Sequence, residues 1–206
     1  ASLWSVAYLK TDVKDASKRP VTFVFNGGPG SASVWLHMGM FGPQLVKVES
    51  DAREDDGAAP YNLVSNTNAL LDLTDLVFID PVGTGYSRVI GKGKVEDFWG
   101  LNEDAQSIAD FMRLWITENN RWFSPKYIAG ESFGTTRAAA VANALEGDGQ
   151  NMALNGLILR LLAGDPEQRP VDAEEVAAAL SAIAGPPTTA EIVAHEECML
   201  SGLPTL

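Results

Sequence analysis

Apolar positions along this chain follow two rhythms. Over residues 4–8 the larger apolar side chains alternate, and residues 21–25 form the compact run Val-Thr-Phe-Val-Phe. Both stretches have strand length, and the second predicts a strand buried on both faces. Further runs of strand length lie at 76–79, 126–129 and 156–159, each entered or left through Gly, Pro, Asn or Asp. Between them the spacing lengthens to three and four. Phe98, Leu101, Ala105, Ile108, Met112 and Trp115 share one face of a helix over 98–115, and a second helix is predicted over 135–145, ended by Gly147. Strands alternating with helices predict an α/β fold with a mostly parallel central sheet flanked by helices, because parallel neighbours need crossover connections. No internal repeat is visible.

The character changes after Leu159. Alanine and glutamate dominate, and Gly185-Pro186-Pro187 separates two predicted helices. Asp172 with Glu175 and Thr188 with Glu191 each have capping-box spacing, in which side chains satisfy the free donors of a helix start. Val176, Leu180 and Ile183 make an apolar stripe on the first helix, and Ile192, His195 and Met199 have helix-face spacing on the second. The expected organisation is a partial α/β domain over 1–160 and a helical C-terminal tail of different origin over 161–206. A sheet that ends at 156–159 would leave an unpaired edge, which predicts self-association and marginal solubility.

Composition narrows the function classes. The 206 residues are 46% hydrophobic, enough for a buried core. A net charge of −12 with 15 Lys and Arg argues against nucleic acid as a partner, since phosphate-backbone binding rests on clustered cations. The acidic groups at Glu49, Asp51, Glu54, Asp55 and Asp56, and again over 165–175, read as solvated faces. One cysteine, Cys198, cannot form an intrachain disulfide, and no metal-ligand set is visible, so no cofactor or metal is expected. Apolar runs are too short for a membrane span, so no membrane partner is expected. The opening Ala1-Ser2-Leu3-Trp4 has no initiating Met and no signal-peptide pattern, so the chain reads as a fragment or processed product of undetermined localisation.

The chemistry gathers at two glycine-rich turns. Gly130-Glu131-Ser132-Phe133-Gly134 matches G-x-S-x-G directly after a predicted buried strand and before a helix, the context of a nucleophile elbow in an α/β-hydrolase. Flanking glycines keep the tight turn clear of its neighbours, and the serine hydroxyl stands off the sheet. The earlier strand runs into Asn26-Gly27-Gly28-Pro29-Gly30, whose bare backbone can approach a substrate oxygen. In this fold the oxyanion hole combines the amide after the nucleophile, here Phe133, with one from the earlier loop, here Gly28. Either turn alone also fits an ordinary structural turn; their pairing in this order is what the elbow explains.

Three ordered segments then resemble the successive signatures of the serine carboxypeptidases: Asn26-Gly27-Gly28-Pro29-Gly30-Ser31, Phe78-Ile79-Asp80-Pro81-Val82-Gly83-Thr84-Gly85-Tyr86-Ser87, and Gly130-Glu131-Ser132-Phe133-Gly134. The resemblance runs over about 21–159. Val34-Trp35-Leu36-His37 and the continuation Thr135-Thr136-Arg137 are most similar to bacterial members, and with them a bacterial cytoplasm or periplasm comes into consideration. Ser31 stands where many secreted members carry a disulfide cysteine. The resemblance implies Ser132 as nucleophile, Gly28 and Phe133 as oxyanion donors, and Asn26, Gly27 and Glu131 as the site for the terminal carboxylate of a peptide substrate. Glu131 can donate to a carboxylate only when protonated, so exopeptidase action favoured by acid would follow. An acidic residue that many relatives place after the glycine loop is not evident, since Gly39, Met40 and Phe41 occupy that stretch.

A serine hydroxyl also needs a base and a carboxylate to orient it, in this fold both later in the chain. Of the two histidines, His37 precedes the serine and is expected to be structural. His195 has the correct order, and Asp172 or Asp165 could formally complete a triad, but no strand is predicted before it. Leu161-Leu162-Ala163-Gly164-Asp165-Pro166-Glu167-Gln168-Arg169-Pro170 resembles the closing segment of bacterial serine/threonine protein kinases, without any of the kinase catalytic parts. The sequence therefore predicts a truncated α/β-hydrolase, a serine carboxypeptidase by resemblance and impaired in this chain. An acyltransferase on the same framework and a non-catalytic fragment or binding module stay open.

Overall fold

In this computed structural model the described residues are 1–48, 59–147, 151–160 and 192–200, with backbone alone for 159, 160 and 192–200. Strands form where the apolar runs predicted them: β1 (Ser2–Lys10), β2 (Val21–Phe25), β5 (Asp75–Ile79), β6 (Lys126–Glu131) and β7 (Gly156–Arg160). Among the described residues they join β8 (Ile192–Leu200) in one sheet of order β7-β6-β2-β5-β1-β8. The β5-β2-β6-β7 part is parallel, and β1 runs antiparallel to both β5 and β8. The chain is thus an α/β protein with a mostly parallel central sheet.

Alternation along the central strands fills two layers, because successive side chains point to opposite faces. Phe23, Phe25, Val77, Ile79 and Ile128 pack on one face, against Ala105, Ile108, Met112 and Trp115 of α2 (Leu101–Glu118) and Ala138, Val141 and Leu145 of α3 (Phe133–Glu146). Val24, Leu76, Phe78, Tyr127 and Ala129 pack on the other, against Leu36, Phe41, Leu70 and Leu73. Those last four come from α1 (Val34–Leu36), the π-helical turn His37–Phe41 that follows it, and a short 3-10 turn with Leu73 at its end.

Three features depart from the expected pattern. The long helix begins at Leu101 rather than 98, because Gly100 holds an extended conformation and Val95–Phe98 wind into a separate 3-10 turn. A hairpin of β3 (Gln44–Lys47) and β4 (Asn62–Ser65) was not legible, since its side chains are mostly exposed and carry no apolar alternation. The largest correction concerns the tail. Its second expected helix is, over Ile192–Leu200, a nine-residue strand on the outer edge of β1. An open strand edge offers a full row of backbone donors and acceptors, and that pairing overrides the three-and-four spacing of Ile192, His195 and Met199. The first tail helix, with Asp165, Asp172, Glu175, Val176, Leu180 and Ile183, and the acidic stretch 49–56 lie outside the described residues.

Candidate active site

Strand register assembles the site. Phe25 pairs with Gly130 and Val24 with Phe78, so three parallel strands deliver residues 26–28, 80–87 and 131–133 side by side at their carboxyl ends. Ser132 occupies the bend between β6 and α3 with φ 57° and ψ −124°. A non-glycine residue there carries strain of about 1–3 kcal/mol, held by its surroundings. Thr135 contributes to that hold, donating its amide at 2.9 Å and its hydroxyl at 2.8 Å to the Ser132 carbonyl.

Two glycines let main chain press on main chain. A Cβ on Gly27 would lie 2.3 Å from the Glu131 carbonyl oxygen and 2.5 Å from the Phe133 nitrogen, so the glycine loop lies directly against the elbow. A Cβ on Gly130 would lie 2.2 Å from the Gly134 carbonyl oxygen. Among the described residues, the amides of Gly28 and Phe133 donate no hydrogen bond.

Side chains from all three loops fix this arrangement. The Asn26 amide nitrogen Nδ2 donates to Glu131 Oε2 at 3.3 Å, while its Oδ1 accepts from the Leu36 amide at 3.0 Å. Ser33 donates its hydroxyl to the Ile79 carbonyl and its amide to Asp80 Oδ1 at 2.8 Å. The other Asp80 oxygen accepts from the Tyr86 amide at 3.1 Å, and Ser87 Oγ donates to the Asp80 carbonyl at 2.6 Å. The middle signature therefore ties the glycine loop to the loop after β5. Arg137, fully buried on α3, donates to Asp104 Oδ2 at 2.6 Å, to the Asn26 carbonyl at 2.5 Å and to the Pro29 carbonyl at 3.3 Å. Burial pushes the Asp104 carboxyl up, and Arg137 pulls against that shift.

A hollow of about 380 Å³ opens beside the elbow, walled by Phe133, Pro29, Val82, Val95, Phe98 and Trp99. Trp99 is 72% exposed at its rim. Among the described residues no cluster of His, Cys, Asp or Glu could hold a metal ion, and no helix is long and apolar enough to cross a membrane.

The structure brings Asn26, Gly27, Gly28, Glu131, Ser132 and Phe133 into one place. It puts the histidines elsewhere. His37 shares a 2.6 Å hydrogen bond between its Nε2 and the Tyr8 hydroxyl and stacks on Phe78 with ring centroids 4.6 Å apart. Burial lowers its pKa from 6.5 to about 4, against a raising influence of Asp80. His195, on β8, pairs with Ala7 of β1 and lies four strand positions from β6, or about 19 Å at the usual inter-strand spacing. Sequence reasoning missed Ser33, Asp104 and Arg137, and gave Asp80 no role. For Asp104 and Arg137 the available signal was a charge among the mostly apolar buried positions of α2 and α3.

A largely parallel sheet, a strained serine between strand and helix, and a glycine loop packed on it define the α/β-hydrolase fold. Kex1(delta)p of Saccharomyces cerevisiae, a prohormone-processing carboxypeptidase, shares this fold with a TM-score of 0.55 and 22% identity, over 77% of this chain and 33% of that one. A profile of the serine carboxypeptidase family matches residues 6–172, and the chain belongs to that family. Serine carboxypeptidase-like 16 of Arabidopsis thaliana is 31% identical over 116 residues, 55% of this chain and 25% of the relative. Human retinoid-inducible serine carboxypeptidase is 28% identical over 174 residues, 82% of this chain and 34% of the relative. The chain thus spans about a quarter to a third of the length of these relatives.

Proposed function

We propose that this chain carries the nucleophile half of a serine-type carboxypeptidase site. Ser132 Oγ attacks the carbonyl carbon of a peptide's last bond, the terminal residue leaves, and water releases the acyl group from Ser132. The amides of Gly28 and Phe133 receive the oxyanion; free, fixed donors of this kind act where charge develops in the transition state. Asn26, Gly27 and Glu131 receive the terminal carboxylate, and the hollow beside Phe133 takes an apolar side chain of the substrate. The observation that carries this reading is the main-chain contact of Gly27 with residues 131–133 at a strained Ser132.

Neither described histidine serves Ser132 as base in this reading, so the chain alone is expected to react slowly. The test is a fluorophosphonate, with the modified residue located by mass spectrometry. Slow labelling confined to Ser132, accelerated by imidazole as an external base and lost in Ser132→Ala, is the expected result. Fast labelling without imidazole would mean that the chain supplies its own base. A folded chain left unlabelled at Ser132 in concentrated imidazole would end the proposal.

A further inference from the structure

We infer that Arg137 is the positioning residue of the oxyanion loop: its guanidinium fork grips the Asn26 and Pro29 carbonyls from beneath and so presents the intervening amides of Gly27 and Gly28 toward Ser132. The argument starts from burial. Arg137 has no exposed surface, and a buried guanidinium persists only where its charge and donors are answered. Asp104 of α2 answers the charge at 2.6 Å. Two other donors go to main-chain carbonyls that bracket residues 27 and 28, at 2.5 and 3.3 Å. C=O and N–H of a trans peptide point opposite ways, so holding the Asn26 carbonyl aims the Gly27 amide away from the fork, and holding the Pro29 carbonyl anchors the far side of the turn that carries the Gly28 amide. The guanidinium carbon also lies 5.5 Å from the Phe25 ring centroid and 5.3 Å from that of Phe133, which fixes the fork in its plane. One side chain on the elbow helix thus locks both proposed oxyanion donors into a single unit. Lysine cannot reproduce this, because an ammonium is a point charge without the planar fork.

The catalytic meaning rests on the Ser132 reading, but the geometry can be tested apart from it. In the labelled wild-type protein, the clamp predicts hindered rotation of the Arg137 guanidinium, seen by NMR as separate Nη resonances. In Arg137→Lys and Arg137→Gln, the backbone amide order parameters of Gly27 and Gly28 should fall below about 0.6, with β2, β5 and β6 amides unchanged. Where wild-type Ser132 takes the fluorophosphonate, the labelling rate should fall about tenfold in both variants. Freely averaging guanidinium resonances in the wild type would overturn the inference even if both variants failed to fold. So would variant order parameters that fall equally in all strands or not at all. Absence of labelling in the wild type would count against the nucleophile proposal alone, since guanidinium rotation and amide order parameters still report on the clamp.

Discussion

The two ends of the sheet solve opposite problems with similar residues. At the amino ends of the central strands, buried Asp75 accepts from Arg19 at 2.8 Å and from Arg121 at 2.7 Å, and the Lys10 amide adds a bond at 3.0 Å. Charge there is consumed by charge, and Arg121 spends further donors on Ser124 Oγ and the Arg19 carbonyl. At the carboxyl ends, Asn26, Ser33, Asp80 and Arg137 mostly bind main chain, and among the described residues the amides of Gly28 and Phe133 donate no hydrogen bond. The amino end is a closed polar network that resists unfolding. The carboxyl end holds a backbone shape, and it is there that the proposed function puts the oxyanion.

That contrast makes graded predictions. Asp75→Asn leaves two buried arginines short of a counter-charge and should cost about 3–5 kcal/mol in urea unfolding, with the Gly27 and Gly28 amides unaltered in the folded fraction. Gly27→Ala forces two backbone segments apart and should cost about 1–3 kcal/mol while abolishing Ser132 labelling. A Gly27→Ala protein that kept wild-type reactivity would erase the distinction between the two ends. Tyr8→Phe should cost about 1 kcal/mol at pH 7 by removing the partner of His37. The same histidine sets a pH dependence. Its folded pKa near 4 lies below the ordinary 6.5, so the unfolded chain binds the extra proton in between. Stability is fully present above pH 6.5 and falls as the pH drops toward 4, which thermal melts across that range would record. Smallest is Gly39→Ala: no atom lies within 4 Å of a Cβ there, so the change should be neutral or stabilise by about 0.5 kcal/mol.

Much of this was legible in the sequence because the informative features are local. Val21–Phe25, Asp75–Ile79 and Lys126–Glu131 are strands with apolar centres, and glycine spacing around Ser132 reports a steric demand that two residues on either side must meet. The Arg137 contacts join residues more than a hundred positions apart, and no spacing rule anticipates that separation. Asp104 interrupts the otherwise apolar α2 face next to Ala105, a signal whose partner only the register of β2 with β6 supplies. The strand at Ile192–Leu200 was misread for a related reason. Its partner is β1 at the other end of the chain, and a local period cannot weigh a ladder formed over that distance.

The backbone of Ser132 has a practical consequence. Its φ of 57° suits glycine better than any residue with a side chain, so the hydroxyl is kept at the expense of stability. Ser132→Gly should therefore melt at a higher temperature than the natural protein and than Ser132→Ala. In tests of the proposed peptide binding, the glycine form is therefore the better inert stand-in.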